Sequence, residues 1–314
     1  MLRPGLAPTG LLRGALDDPL TVVIVSYECR EPLLRCLASL SVQQGVPQVQ
    51  VVVVDNASGD GTVAAVAARF PDVTVIANRD NVGFAVATNQ GLAAAAPGPV
   101  LVLNPDTEVP ATALAECLRR LDELPRVGVL GCRLVRPDGE IDRAAKRNVP
   151  TPLNSLLYMS GLDRILPPRH DSYQRPLGDY DVESETDALC GAFMLVRREA
   201  LEQVGGLDEA FWMYGEDIDW SLRFRAAGWQ VHYLPSVSVL HVKGASSGSA
   251  RSLRVTYAFH QAMWLFFDKH RPAGGSPLLL LAVRFGIIAH FAAIAPVSVV
   301  RRRAQRRRRA SAPA

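Results

Sequence analysis

Between residues 20 and 103 the chain alternates short apolar, largely β-branched runs with segments of helical spacing, and this alternation leaves few folds open to it. Residues 21–26 (TVVIVS) read as a continuous apolar strand, and Leu33, Leu37 and Leu40 mark a helix over 32–44. Residues 50–54 (QVVVV) are a second strand, closed by Asp55 and Asn56. A helix over 62–70, a strand over 73–77, an alanine-rich helix over 84–96 and a strand over 100–103 extend the series to βαβαβαβ. Strands apolar on both faces need cover on both sides. The spacing therefore predicts an α/β fold, a Rossmann-type, mostly parallel sheet flanked by helices. Ligands of such sheets sit beyond the carboxyl ends of the strands.

The second half is patterned differently. A helix over 111–123 and a strand over 127–135 precede a polar, proline-containing stretch over 136–186, with a helix near 153–162. A strand over 192–196 leads into a short helix over 199–204. A further helix over 216–227 is stopped by Gly228, with Ile218 and Leu222 on one face and Asp219 four residues before Arg223. Strands over 231–234 and 237–241 complete the sheet, and no internal repeat is visible.

The carboxy terminus changes character. Residues 255–270 form an aromatic-rich helix, and residues 278–300 are apolar apart from Arg284 and His290. Those 23 residues would reach across a bilayer. Arg284 and Pro296 favour instead a helix lying in the interface, with the arginines of 301–309 (RRRAQRRRR) on anionic headgroups. The alternative is a segment packed on the globular body with a solvated basic tail. Membrane contact is preferred because an apolar helix and a polybasic cluster together supply the two signals that stable anchoring needs.

Composition sets the outer limits. Of 314 residues, 48% are hydrophobic and 21% charged, which excludes a disordered chain and a multi-span membrane protein. The net charge of +3 hides an asymmetry: the seven arginines of 301–309 leave the rest with 27 basic against 31 acidic residues. That acidic body is no nucleic-acid surface. Cys29, Cys36, Cys117, Cys132 and Cys190 are odd in number and form no CxxC pair, so they read as reduced core thiols of a cytosolic protein. Glycines and prolines break up residues 1–18, which read as a flexible leader without a signal peptide.

Three polar clusters fall at the ends of the expected parallel strands: Ser26-Tyr27, Asp55-Asn56-Ala57-Ser58 and Asn104-Pro105-Asp106. Each alone is an ordinary turn. Together on one sheet edge they can bind a base or ribose and hold a divalent cation on a diphosphate. Glu216, Asp217 and Asp219 open the helix at 216, flanked by Trp212, Tyr214 and Trp220, which suits a wall against a sugar ring. Neighbours on a helix diverge by about 100°, so only one of Glu216 and Asp217 can face a reacting hydroxyl as general base. His241, ending an apolar strand, is a candidate metal ligand or a satisfied structural histidine.

These residues, with Asn81-Val82-Gly83-Phe84, Asn89-Gln90-Gly91, Cys190-Gly191-Ala192-Phe193 and Gly206-Leu207-Asp208-Glu209, resemble an inverting family 2 glycosyltransferase. The likeness is greatest to bacterial rhamnosyltransferases acting on lipid-linked or cell-wall glycans, and it runs from Thr21 to about Gly248. It implies a GT-A-like fold over 19–250, with a nucleotide-binding half (19–107) and an acceptor and catalytic half (108–250). Membrane-associating helices (251–300) and a polybasic tail (301–314) follow. It implies a nucleotide-diphosphate sugar donor bound by Ser26, Tyr27, Asp55, Asn81, Gly83, Asn89, Asn104 and Asp106. Mg²⁺ or Mn²⁺ would sit on Asp106 and His241. Asp217 would be the catalytic base with Glu216 beside it, and Gly191, Ala192, Trp212 and Tyr214 would lie on the acceptor side. The usual DxD acid pair reads Asn104-Pro105-Asp106 here. The implied enzyme works on the cytoplasmic face of the plasma membrane, transferring a sugar, rhamnose from dTDP-rhamnose, to a glycan or lipid-linked acceptor.

The sequence also carries features of two other classes. Gly244-Ala245-Ser246-Ser247-Gly248 fits the GxSxG of a serine hydrolase, with Asp268 and His270 downstream, but those two would diverge on one helix. A non-enzymatic adaptor would act on membrane or nucleic acid through the arginine tail.

Overall fold

The computed structural model describes residues 18–46, 48–152, 154, 155, 157, 162, 180–243, 252–270 and 276–310, with side chains up to 298. β1 (Leu20–Ser26), β2 (Val49–Asp55), β3 (Thr74–Ala77) and β4 (Val100–Leu103) run parallel in the order β3-β2-β1-β4. Their crossovers contain α1 (Arg30–Leu40), α2 (Thr62–Arg69) and α3 (Phe84–Ala93). All of β1 and β4 is buried, as apolar runs covered on both faces must be, whereas the edge strand β3 is partly exposed.

Two helices are shorter than their apolar spacing predicts, because side chains and loops take the next amides. The Gln44 amide donates to the Ala111 carbonyl at 2.7 Å, so α1 cannot continue to 44. The Ala96 amide donates to Thr21 Oγ1 and Gln50 Oε1, 3.1 Å each, which ends α3 early.

The second half adds β5 (Thr107–Glu108), α4 (Ala113–Glu123), β6 (Val127–Val135), β7 (Lys146–Arg147), β8 (Ser184–Glu185), β9 (Ala188–Leu189), β10 (Phe193–Val196), α5 (Arg198–Val204), α6 (Glu216–Ala226) and β11 (Gln230–His241). The sheet continues past β4 as β10-β6-β11-β5, with β8 also on β11, and β7 pairs β9 separately. β10 is antiparallel to both β4 and β6, so the sheet is mixed. The two strands expected over 231–234 and 237–241 are one strand. Its register against β6 jumps between Leu234 and Ser238, around Pro235, which has no N–H to give the ladder.

Two helices close the chain, α7 (Leu253–His270) and α8 (Pro277–Ala310). Ala262 and Phe266 of α7 pack with Phe211 and Ile218, which fixes α7 to the body beside α6. No disulfide joins the five cysteines. Burial pushes the Cys36 thiol up to about 12 and Cys190 to about 11. The expected leader, apart from Asp18, most of the helix near 153–162, and the Gly244–Gly248 loop with Ser246 lie outside the described residues.

Candidate active site

In-register pairing of β1 with β2 and β4 aligns their carboxyl ends, Ser26 opposite Asp55 and Ile24 opposite Leu103. Asp55 is buried. Its Oδ2 accepts from the Ser58 amide at 2.8 Å, and its Oδ1 has no hydrogen-bond partner among the described residues. A buried carboxylate oxygen left without a donor is costly, and it suits an N–H brought by a ligand. Ser26 is fully buried with Oγ 3.4 Å from Cys29 Sγ, while Tyr27 beside it is 41% exposed. The loops after β1 and β2 are tied together. The Glu28 amide donates to Ser58 Oγ at 2.9 Å, and the Gly59 amide to Glu28 Oε1 at 2.7 Å.

Asn81, Gly83 and Asn89 seat a neighbouring loop. Asn81 Oδ1 accepts from the Gly83 amide at 3.1 Å, and the Phe84 amide donates to the Trp212 carbonyl at 2.7 Å. Gly83 has φ +95°, and a Cβ there would lie 2.5 Å from that same carbonyl, so only glycine fits. Asn89 accepts from the Leu207 amide at 2.8 Å and donates to the Leu207 carbonyl and Glu209 Oε1, 2.9 Å each. These contacts hold Trp212 and Tyr214 over the end of α3. Tyr214, itself at φ +71°, meets Phe259 edge to face at 5.7 Å, and the Arg254 guanidinium lies 4.5 Å from the Trp212 ring centre.

Past β4, the pairing of Thr107 with His241 brings β11 alongside Asp106. His241 Nε2 lies 3.4 Å from Asp106 Oδ1, and its Nδ1 lies 3.1 Å from Asp142 Oδ2, whose other oxygen holds Lys243 Nζ at 2.6 Å. Burial opposes charge on this imidazole, but the two carboxylates outweigh it and raise its pKa. Among the described residues no three His, Cys, Asp or Glu side chains gather as a metal cage. The protein offers two donors, Asp106 and His241, with Asp142 behind the ring as an orienting carboxylate. This set suits a divalent cation whose remaining ligands are phosphate oxygens.

Gly215, at φ +82°, starts α6 and turns Glu216, Asp217 and Asp219 into its first turn. Asp217 has donors on both oxygens, with one acceptor position of Oδ1 left over. Its Oδ2 pairs with Arg147 and accepts from the Gly191 amide at 3.0 Å, and its Oδ1 accepts from the Ile218 amide at 2.8 Å. Glu216 differs: it is buried, its Oε2 has no partner among the described residues, and burial and Asp217 push it up to about 8. Asp219 is fully buried and structural. It binds Arg223 at 2.9 Å and, from α7, Lys269 and His270 at 2.8 Å each, which hold its carboxyl below the usual range against the pull of burial.

The two acidic centres meet on residues 190–192. The Asn104 amide donates to the Ala192 carbonyl at 3.1 Å, two residues before Asp106, and the Gly191 amide donates to Asp217. The Cys190 amide donates to the Ala145 carbonyl at 3.3 Å, so Asp142 and Arg147 reach the two centres from a single segment. Sequence reasoning missed both, along with Glu28. Three acids in four positions demand a cation nearby, but nothing in the polar stretch over 136–186 singles out Arg147. The serine-hydrolase partners separate, since Asp268 binds Arg284 at 2.9 Å and His270 binds Asp219.

Residues 21–205 match the model of glycosyl transferase family 2, and residues 173–243 match the N-terminal domain of galactosyltransferase. The chain is 33% identical over 289 residues to N-acetylglucosaminyl-diphospho-decaprenol L-rhamnosyltransferase of Mycobacterium tuberculosis, covering 84% of this chain and 89% of that protein. It is 27% identical over 261 residues to O-antigen biosynthesis protein RfbC of Myxococcus xanthus, covering 81% of this chain and 19% of that protein. In fold it is similar to mannosyltransferase PcManGT from Pyrobaculum calidifontis, solved with GDP-Man and Mn²⁺ (TM-score 0.55, 20% identity, 95% of this chain and 76% of that one). It is also similar to S. aureus TarS 1-349 in complex with UDP (TM-score 0.53, 17% identity, 87% and 72%).

Proposed function

The chain belongs to glycosyl transferase family 2, and from that membership we propose that it moves L-rhamnose from dTDP-rhamnose to a hydroxyl of a lipid-linked glycan, with inversion. Rhamnose and a polyprenyl-linked acceptor are argued from the mycobacterial relative, a rhamnosyltransferase named for a decaprenol-linked substrate. The observation that carries the mechanism is the meeting of the Asp106–His241 and Asp217–Arg147 centres on residues 190–192.

In this reading residues 19–107 bind the nucleotide and 108–250 supply the acceptor side. Asp55 Oδ1 accepts the imino N–H of the base, with Tyr27 alongside. Asp106 and His241 would hold a divalent cation, Mg²⁺ or Mn²⁺, which would supply positive charge at the departing diphosphate. Trp212 and Tyr214 form the acceptor wall. Asp217 takes the acceptor's hydroxyl proton as that oxygen bonds to the anomeric carbon, and the carbon–phosphate oxygen bond breaks with its electron pair leaving on dTDP. Arg147 aims Asp217 through their ion pair. Glu216, pushed up to about 8 by burial and by Asp217, retains its proton at neutral pH. The enzyme acts at the cytoplasmic face of the plasma membrane, with α8 against the anionic surface.

A thermal-shift panel of dTDP, UDP and GDP, each with Mn²⁺, Mg²⁺ or chelator, tests the donor. We expect the largest stabilisation from dTDP with a cation. A preference for UDP or GDP overturns the rhamnosyl donor, and no shift with any nucleotide overturns the site.

A further inference from the structure

α8 is the one helix long and apolar enough to cross a membrane among the described residues, over Pro277–Ser298, and little of that stretch is buried. Its few polar side chains are paired. Arg284 makes two 2.9 Å hydrogen bonds to Asp268 and lies 4.7 Å from the Trp264 ring centre. His290 Nδ1 is 2.9 Å from His260 Nε2, and Ser298 Oγ is 3.1 Å from Thr256 Oγ1. The α7 partners 256, 260, 264 and 268 recur every four residues, so all three contacts lie on one stripe. Leu278, Leu281, Phe285 and Ile288 of α8 are more than half exposed. The helix pair turns these polar side chains, with Ile287 and Phe291, toward its seam and leaves large apolar ones exposed, unlike a helix docked for life in water.

We propose that α8 lies along the surface of an anionic lipid bilayer, immersing its Leu278–Leu281–Phe285–Ile288 face, and does not cross it. This deepens the membrane reading above and rests on it for the partner alone. Crossing is opposed by the seam. From Arg284 to Ser298 α8 is stitched to α7, about 21 Å of helix. α7 in turn is fixed to the body through Ala262, Phe266 and the Asp219 contacts. To cross, α8 would have to break the seam and take an unpaired Arg284 into hydrocarbon, or drag α7 with it.

Lying flat costs neither, because Arg284 keeps its Asp268 contact, the His290 and Ser298 contacts survive, and the lipid meets apolar side chains. Anionic lipid is favoured over a second copy by charge. The same helix runs on into seven arginines, which complement acidic headgroups and repel one another across a two-fold pair. α7 also carries Phe259 against Tyr214 and Arg254 over Trp212, so the immersed surface is one helix from the acceptor wall.

The test uses the full chain with an epitope after Ala314, in flotation with phosphatidylglycerol–phosphatidylcholine or pure phosphatidylcholine vesicles and in trypsin digestion of inverted membrane vesicles from producing cells. We expect flotation with the anionic vesicles, at least tenfold weaker for the double variant Leu281→Asp/Phe285→Asp, and loss of the epitope to trypsin without detergent. Phe285→Ser serves as a milder variant should the double one lose its helical circular dichroism. An epitope protected until detergent is added means a crossing helix and overturns the proposal. So does flotation unchanged in the variants, no flotation at all, or a wild-type dimer that the variants dissociate. The dTDP thermal shift is read on the same proteins: its absence sinks the donor site, and its survival in a variant that no longer floats isolates the membrane face.

Discussion

Asp142 illustrates how a residue without a motif can govern one that has it. Its carboxylate holds His241 Nδ1 on one oxygen and Lys243 on the other, and these partners outweigh burial to keep it strongly acidic. We expect Asp142→Asn to leave the fold intact and weaken Mn²⁺ binding to the dTDP-saturated protein by about 10–100-fold. Calorimetry with Mn²⁺ checks this, and unchanged affinity separates Asp142 from the site. Glu216 makes a pH prediction. Its carboxyl is raised from an ordinary 4.5 to about 8 by burial and by Asp217, with Arg147 pulling the other way. Below pH 4.5 both folded and unfolded chains hold this proton, and it contributes nothing. Between 4.5 and 8 the unfolded chain ionises and the folded one does not, so folding loses up to about 1.4 kcal/mol per pH unit. Glu216→Gln should therefore raise the melting temperature over wild type more at pH 8 than at pH 5. An equal gain at both would contradict a protonated Glu216.

At the scale of elements, glycines decide where loops can meet. We expect Gly83→Ala to lower stability by about 1–3 kcal/mol and to speed amide exchange over 206–215, since the new Cβ would collide with the Trp212 carbonyl. Gly139, at φ +81° with nothing within 4 Å of its Cβ position, should cost only about 1 kcal/mol on the same change. Urea unfolding and hydrogen exchange compare the two. The parallel half of the sheet was legible in the sequence because each of its strands is a short apolar run between helix-spaced segments. The reversal of β10 was not, since Phe193-Met194-Leu195-Val196 has the apolar character of its parallel neighbours and direction is set by the chain's return path. The acids at 55, 106, 216 and 217 were legible from their places at strand and helix ends. Their partners were not, because Asp142 and Arg147 reach the site by the pairing of distant segments, β7 with β9, that no local pattern encodes.

For the whole molecule, charge and polarity are sorted by destination. An acidic body holds the paired centres at residues 190–192, and an apolar helix running into seven arginines is sewn to that body by its own polar side chains. α7 joins the two, with Phe259 toward Tyr214 and Thr256, His260 and Asp268 toward α8. The proposed reaction requires that Asp217 act on the acceptor and not on the donor. Transfer of radiolabelled rhamnose from dTDP-rhamnose to a polyprenyl-diphosphate-linked acceptor, measured beside calorimetric dTDP binding for wild type and Asp217→Asn, separates those roles. We expect the variant to bind dTDP within about twofold of wild type while transfer falls by about 10²–10⁴-fold; transfer at near wild-type rate would show that Asp217 is not the base.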